Sequence, residues 1–360
     1  MMEDRVSASK KDLLCLEMLE DSGGDDSDYE GFDEDHGEDL DDYYGVYSEE
    51  EALDVLLARL EDGDWPARRV ALYTLGNLEP AALAQHVNCV VARLEDSHWD
   101  VRREALVTLA KVDPATLAQH ADAIVARLDH EENYVRHSAM HALGKLEPAA
   151  LAQHAGAVVA SFEDSDLCVR GTALTTLGKL EPAVLAQHAG AVVAKLEDSC
   201  WDVRRKALMT LGKLEPATLA QHADAVLTRL EDSDRTVRKW ALWTLGKLKP
   251  AALAQHANAV IAWLEDDEGY ARAVALMTLG KLEPVTLAQY ADPVVERLGD
   301  AHWHLRVAAL ETLAKLDPAT LAQHANAVVA SLEDSDRHVC KQALWTLGKL
   351  KPAALAQHAN

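Results

Sequence analysis

Histidine recurs along this chain at 34-residue steps: His86, His120, His154, His188, His222, His256, His324 and His358, with Tyr290 filling the one gap. The first chemistry such a column suggests is metal binding. It fails on distance, because equivalent side chains in stacked helical units stand ~10 Å apart, whereas zinc ligands sit ~2 Å from the ion. We read each histidine as closing a short helix and bonding a carbonyl across the turn. His137 and His141, at i and i+4 on one helix face with His130 nearby, are a second candidate metal pair. No two of Cys15, Cys89, Cys168, Cys200 and Cys340 have the C-x-x-C spacing of a zinc site. No G-x-S-x-G, P-loop or G-x-G-x-x-G context appears. No cofactor, no metal and no enzymatic activity are expected.

The element that positions these residues is a repeat. Proline falls at Pro80, Pro114, Pro148, Pro182, Pro216, Pro250, Pro284, Pro318 and Pro352, with no insertion or deletion between copies. Stacking the copies gives three helices per unit. The column Asp54, Asn88, Asp122, Gly156, Gly190, Asp224, Asn258, Asp292 and Asn326 reads as the N-cap of a first helix. A second helix is capped near Ser97, Ser165, Ser199, Ser233 and Ser335, or by an acid beside them, and runs to about Val112. A third, shorter one opens at each proline, a residue welcome at the first helical position. In the second helix Val101, Ala105, Leu106, Leu109 and Val112 share one side. Arg103, Glu104 and Val107 point away from it.

An acid precedes an arginine by six residues throughout: Asp62/Arg68, Asp96/Arg102, Asp164/Arg170, Asp198/Arg204, Asp232/Arg238, Asp266/Arg272 and Asp300/Arg306. This predicts a ladder of charge-assisted bonds tying turns together. His130 replaces one acid and Cys340 the last arginine.

The pattern L-x-D-(turn)-V-R-x-x-A-L-x-x-L, here Leu94, Asp96, Val101, Arg102, Ala105, Leu106 and Leu109, resembles the HEAT-repeat signature over 54–359. The extra short helix is similar to that of armadillo units. The tetratricopeptide order W-x-x-L-G is absent, and TAL-effector readers share only the period. The resemblance implies an all-α, right-handed α-solenoid of nine 34-residue HEAT/armadillo-like units, expected at 48–360 behind a tail at 1–47. It also implies that the second helices line a concave surface where protein partners bind. Deoxyhypusine hydroxylases, which hold iron through several His-Glu pairs, and bilin lyases use similar arrays. Only His130-Glu131 matches the former, so an enzyme or chromophore-handling protein is the alternative, with a purely structural spacer as a third.

The exposed columns carry the binding expectation. One reads Tyr73, Val107, His141, Thr175, Met209, Trp243, Met277, Glu311, Trp345, and its neighbour includes Trp240. Solvated faces do not collect tryptophan and methionine, whereas interface hot spots do. Tyr73, Val107, His141, Met209, Trp240, Trp243, Met277 and Trp345 are the candidate partner-binding residues. Trp65, Trp99, Trp201 and Trp303 share a turn column, as contacts or as fillers between units.

Composition narrows the partner. Residues 1–50 hold 19 Asp+Glu and 3 Lys+Arg, and the other 310 residues hold 41 and 32. Neither part suits phosphate backbones or anionic membranes, and no run of about 18 apolar residues could span a bilayer. Unpatterned cysteines and the lack of a signal peptide place the chain inside the cell, cytoplasmic or nuclear. The tail 1–47 is expected to be disordered. Ser22 and Ser27 there are candidate acidophilic phosphosites, and residues 13–19 a short apolar docking stretch. Ser48 with Glu51 opens an N-terminal capping helix. Asn360 would cap a tenth unit, so the expectation is a truncated chain, otherwise a monomer unless that end stacks on a partner.

Overall fold

The structure is a computed structural model that describes residues 49–350. The acidic tail with Ser22, Ser27 and residues 13–19, and the chain end at Asn360, lie outside the described residues. Among the described residues there is no strand, and helices follow one another in tandem: an all-α solenoid.

The chain divides into two compact units, Met1–Ala142 and Leu143–Asn360. In the first, Glu49–Arg59 is followed by a long helix at Trp65–Leu75, a short one at Pro80–Gln85, a first helix Val87–Ala92 ending in a 3-10 turn at Arg93–Glu95, and the next long helix at Trp99–Leu109. The cycle then repeats through Pro114–Gln119 and Ala121–Val125 to Asn133–Leu143, within which the division falls. The second unit continues the pattern, with long helices Leu167–Leu177, Trp201–Leu211, Arg235–Leu245, Gly269–Leu279, Trp303–Leu313 and Arg337–Leu347.

Local chemistry sets these boundaries. Every short helix has proline at its start, where the missing N–H would be unpaired anyway. Asp113 caps one by accepting from the Ala115 and Thr116 amides at 3.1 and 3.0 Å. Asp166 and Asp234, one residue past the serine column, do the same for long helices. Each long helix is eleven residues and closes on a leucine.

The Asn88 column does not cap the first helix. That helix begins one residue earlier, at Val87 or Ala121, and the histidine is the junction, with φ near −110°. The histidine amide bonds back into the short helix, as His86 N–H to the Leu83 carbonyl at 3.0 Å. Two helices sharing one junction residue leave no room for a separate cap.

The core is aliphatic. Val101, Ala105, Leu106, Leu109 and Val112 are all buried, as are most of their counterparts in the other described repeats; Leu344, the Leu106 counterpart in the last described long helix, is exposed. Each such Leu or Val contributes roughly 1.5–3 kcal/mol by leaving water. Glu104, expected on the exposed side, is buried as well. Its column faces the neighbouring long helix, and burial pushes its carboxyl above the usual range despite Arg103 and Arg69.

Candidate functional site

The framework that holds the site is ion-paired from repeat to repeat. Five of the seven ladder arginines grip the aspartate of the following repeat, 28 residues on. Arg68 donates to Asp96 from Nε and Nη2, both at 2.7 Å. Arg170–Asp198, Arg204–Asp232, Arg272–Asp300 and Arg306–Asp334 repeat the geometry. The expected six-residue pairing is therefore corrected. Within its own repeat the arginine reaches only backbone, as Arg204 Nη1 on the Asp198 and Ser199 carbonyls at 2.9 and 3.1 Å. Asp62, Asp164 and Asp266 serve their own turns by accepting from the amides of Asp64, Asp166 and Glu268. Arg238 departs from the pattern, with its guanidinium over the Trp263 ring, 5.9 Å from the centroid.

Burial alone would raise the carboxyl of Asp232. The Arg204 hydrogen bond, the Asp234 amide and the charges of Arg204 and Arg229 outweigh it and hold the group below the usual range. Asp96, Asp198 and Asp300 behave alike.

One rung fails. Arg102 should meet an acid at 130, where His130 stands. Arg102 Nη1 keeps the Asp96 and Ser97 carbonyls, but its buried Nε has no partner. His130 Nδ1 still accepts the Glu132 amide at 2.9 Å, as the aspartates do in other turns. In the last repeat, the Cys340 thiol takes over the arginine's own-turn role by donating to the Asp334 carbonyl at 3.2 Å.

A second ladder escaped sequence reading. Where a basic residue follows the first helix, it bonds the preceding repeat: Arg93 to the Leu60 carbonyl and Glu61, Arg127 to Leu94 and Glu95, Arg229 to Leu196 and Glu197, Arg297 to Leu264 and Glu265. Buried threonines form a third ladder, as Thr244 Oγ1 to the Leu208 carbonyl at 3.2 Å.

On this framework the candidate contact residues separate. In the first unit Tyr73 is 57% exposed, His141 is exposed and Val107 is half-buried. In the second, Trp345 is 52% exposed beside Leu344 at 62%, while Met209, Trp243 and Met277 are half-buried. Trp240 is the correction. It is 2% exposed, in a column that faces the preceding long helix, as Lys206 does Gly171, and it packs edge-on against Trp243 with centroids 5.0 Å apart. The turn tryptophans do both things foreseen. Trp65 stacks on His98 of the next repeat at 3.8 Å, Trp99 on Tyr134 and Trp303 on His338, yet Trp65 and Trp303 remain exposed. Among the described residues no three His, Cys, Asp or Glu side chains are grouped to hold a metal ion.

The model for HEAT repeats matches residues 53–144 and 189–280, about half of the chain, and a HEAT-like repeat model matches 303–350. The chain belongs to the HEAT-repeat family. No curated protein sequence matches this HEAT-repeat chain. Among solved structures it is similar to the crystal structure of an engineered protein, at 16% identity and a TM-score of 0.60, over 85% of this chain and 90% of that one. At that identity the likeness concerns the fold alone. No helix among the described residues is long and apolar enough to cross a membrane.

Proposed function

We propose that this HEAT-repeat chain is a non-enzymatic scaffold that holds a protein or peptide along the open face of its long helices. The observation that carries the reading is the exposed column itself. A framework that buries nearly every leucine leaves Tyr73 and Trp345, at one repeat position, in water. Large apolar side chains standing exposed at one repeat position mark contact surfaces. In the second unit the contact residues are Met209, Trp243, Met277 and Trp345, and in the first Tyr73, Val107 and His141. Trp240 supports Trp243 from beneath and is not itself a contact. The four described cysteines are free thiols, which fits action inside the cell.

The test is affinity capture with the intact chain and with a Trp243→Ala/Trp345→Ala variant of unchanged melting temperature. Loss of specific partners from the variant supports the proposal, and identical partner sets refute it.

A further inference from the structure

The open face of the first unit carries exposed charge of one sign. Arg69, Tyr73 and Asn77 follow each other at four-residue steps along one long-helix stripe, and Arg103, Val107 and Lys111 along the next. Tyr73 and Lys111 are exposed, and Arg69 keeps 41% of its side chain in water. Exposed acids of this unit, such as Glu61, Asp62, Asp64 and Glu95, stand in the turns instead.

The acids that do meet these bases lie beneath them. Asp100 is shared by two guanidinium groups: Arg103 Nε donates to Oδ1 at 2.8 Å, and Arg69 Nε stands 3.6 Å from Oδ2. Glu104 is buried, with Arg103 Nη2 3.4 Å away. Burial pushes its carboxyl above the usual range, and Arg103, Arg69 and Lys111 all act against that shift, so the three cations surround one spot. Two carboxylates answer three cations there. Arg69 has only the loose Asp100 contact among the described residues, and its Nε lies out of water without a hydrogen bond. Lys111 forms no ion pair among the described residues, and its ammonium lies 5.7 Å from the Tyr73 ring centroid.

The chemistry of an occupant follows. Surplus positive charge on one face of a chain of net charge −25 steers an anionic partner to that face and fixes its register. Val107 stands between Arg103 and Lys111 in its stripe, and Tyr73 beside Arg69. Both gain from an apolar side chain, which a phosphate backbone does not offer and a peptide does. We propose that the Arg69, Tyr73, Arg103 and Lys111 surface of the first unit docks an acidic peptide segment of the partner, its carboxylates on Arg69 and Lys111 and an apolar side chain between them on Tyr73 and Val107. The proposal rests on the reading of the long-helix face as the contact surface and names the chemistry of what it holds.

The test uses a synthetic peptide, fluorescein-Glu-Glu-Asp-Phe-Glu-Glu, titrated into the full chain and followed by fluorescence anisotropy. Saturable binding is expected, lost in the counterpart with Gln and Asn for the acids and severalfold weaker at about 0.5 M salt. An Arg69→Gln/Lys111→Gln variant with unchanged melting temperature should bind roughly five- to tenfold more weakly, the scale of two exposed ion pairs. A Tyr73→Ala variant should weaken the Phe peptide and not its Phe→Ser counterpart. With benzoylphenylalanine in place of Phe, photo-cross-links should map to the long helices Trp65–Leu75 and Trp99–Leu109. Equal binding of the uncharged counterpart, full binding by the double variant, or cross-links elsewhere overturns the proposal. If partner capture still depends on Trp243 and Trp345 in that case, the scaffold reading stands with a partner of other chemistry.

Discussion

Replacing His130 by Asp should stabilise the first unit. Arg102 already has the geometry of its counterparts, with Nη1 on the carbonyls of Asp96 and Ser97 at 2.6 and 3.1 Å. Only its outer edge lacks a partner, and its Nε is buried without a hydrogen bond. An aspartate at 130 would accept from Nε and Nη2 as Asp96 does from Arg68 at 2.7 Å. It would also keep the Glu132 amide now bonded to His130 Nδ1. Hydrogen bonds to charged groups contribute ~1.5–3 kcal/mol, and an unpaired buried donor costs ~1–3 kcal/mol. Desolvating the new carboxylate offsets part of both. A net gain of about 1–3 kcal/mol follows, measured by urea unfolding followed by circular dichroism.

The gain has a defined pH dependence. A carboxyl held below its unfolded value of about 3.9 contributes stability that is present above that pH and lost as pH falls through the folded value. Burial and the Arg102 charge already lower the imidazole pKa of His130, so the histidine supplies no counter-charge near neutrality. The mirror variant Asp232→His should cost about 3–5 kcal/mol by leaving buried Arg204 unpaired. Stability unchanged within about 0.5 kcal/mol in both variants would refute a ladder that runs between repeats.

Three further outcomes follow from the same geometry. Trp240→Ala should destabilise the second unit by about 3–5 kcal/mol, as for a buried aromatic, whereas Trp345→Ala, at an exposed site, should stay within about 0.5 kcal/mol. Thermal melts of the two variants compare them. Gly212→Ala should displace the Trp243 ring, because a Cβ there would meet Trp243 Cζ3 at 2.9 Å; Ala314 already stands at the equivalent place, 31 residues before the exposed Trp345. Red-shifted tryptophan emission is the expected readout, and an unshifted spectrum counts against it. Acidification should lower the melting temperature below about pH 4, as the depressed carboxyls of Asp96, Asp198, Asp232, Asp300 and Asp334 take up protons. An Asp198→Asn/Asp232→Asn variant should show a shallower decline.

Much of the fold was legible because the unit repeats without insertions, so proline, leucine and aspartate columns mark the same structural places throughout. The pairing register of the ladder was not legible, for an arithmetic reason. In a 34-residue repeat, an arginine six residues after one aspartate is 28 residues before the next, and both spacings recur equally. Only packing shows that the guanidinium edge faces the following repeat while Nη1 turns back to its own backbone. Trp240 misled for a related reason. Its column varies because each pair of neighbouring long helices solves its own packing, with Lys206, Trp240 and Val274 in successive repeats. Variation therefore marked a seam between helices as well as a surface. The column of Tyr73 and Trp345 varies too, and there the side chains are exposed at Tyr73, His141 and Trp345 and half-buried between.

The scaffold reading is tested most directly by the affinity of a captured partner for the intact chain and for the Trp243→Ala/Trp345→Ala variant, measured by titration calorimetry at equal stability. Loss of two aromatic contacts of about 2 kcal/mol each, the hot-spot scale, weakens binding by well over tenfold. An unchanged dissociation constant would place the contact surface elsewhere on the molecule and contradict the assignment.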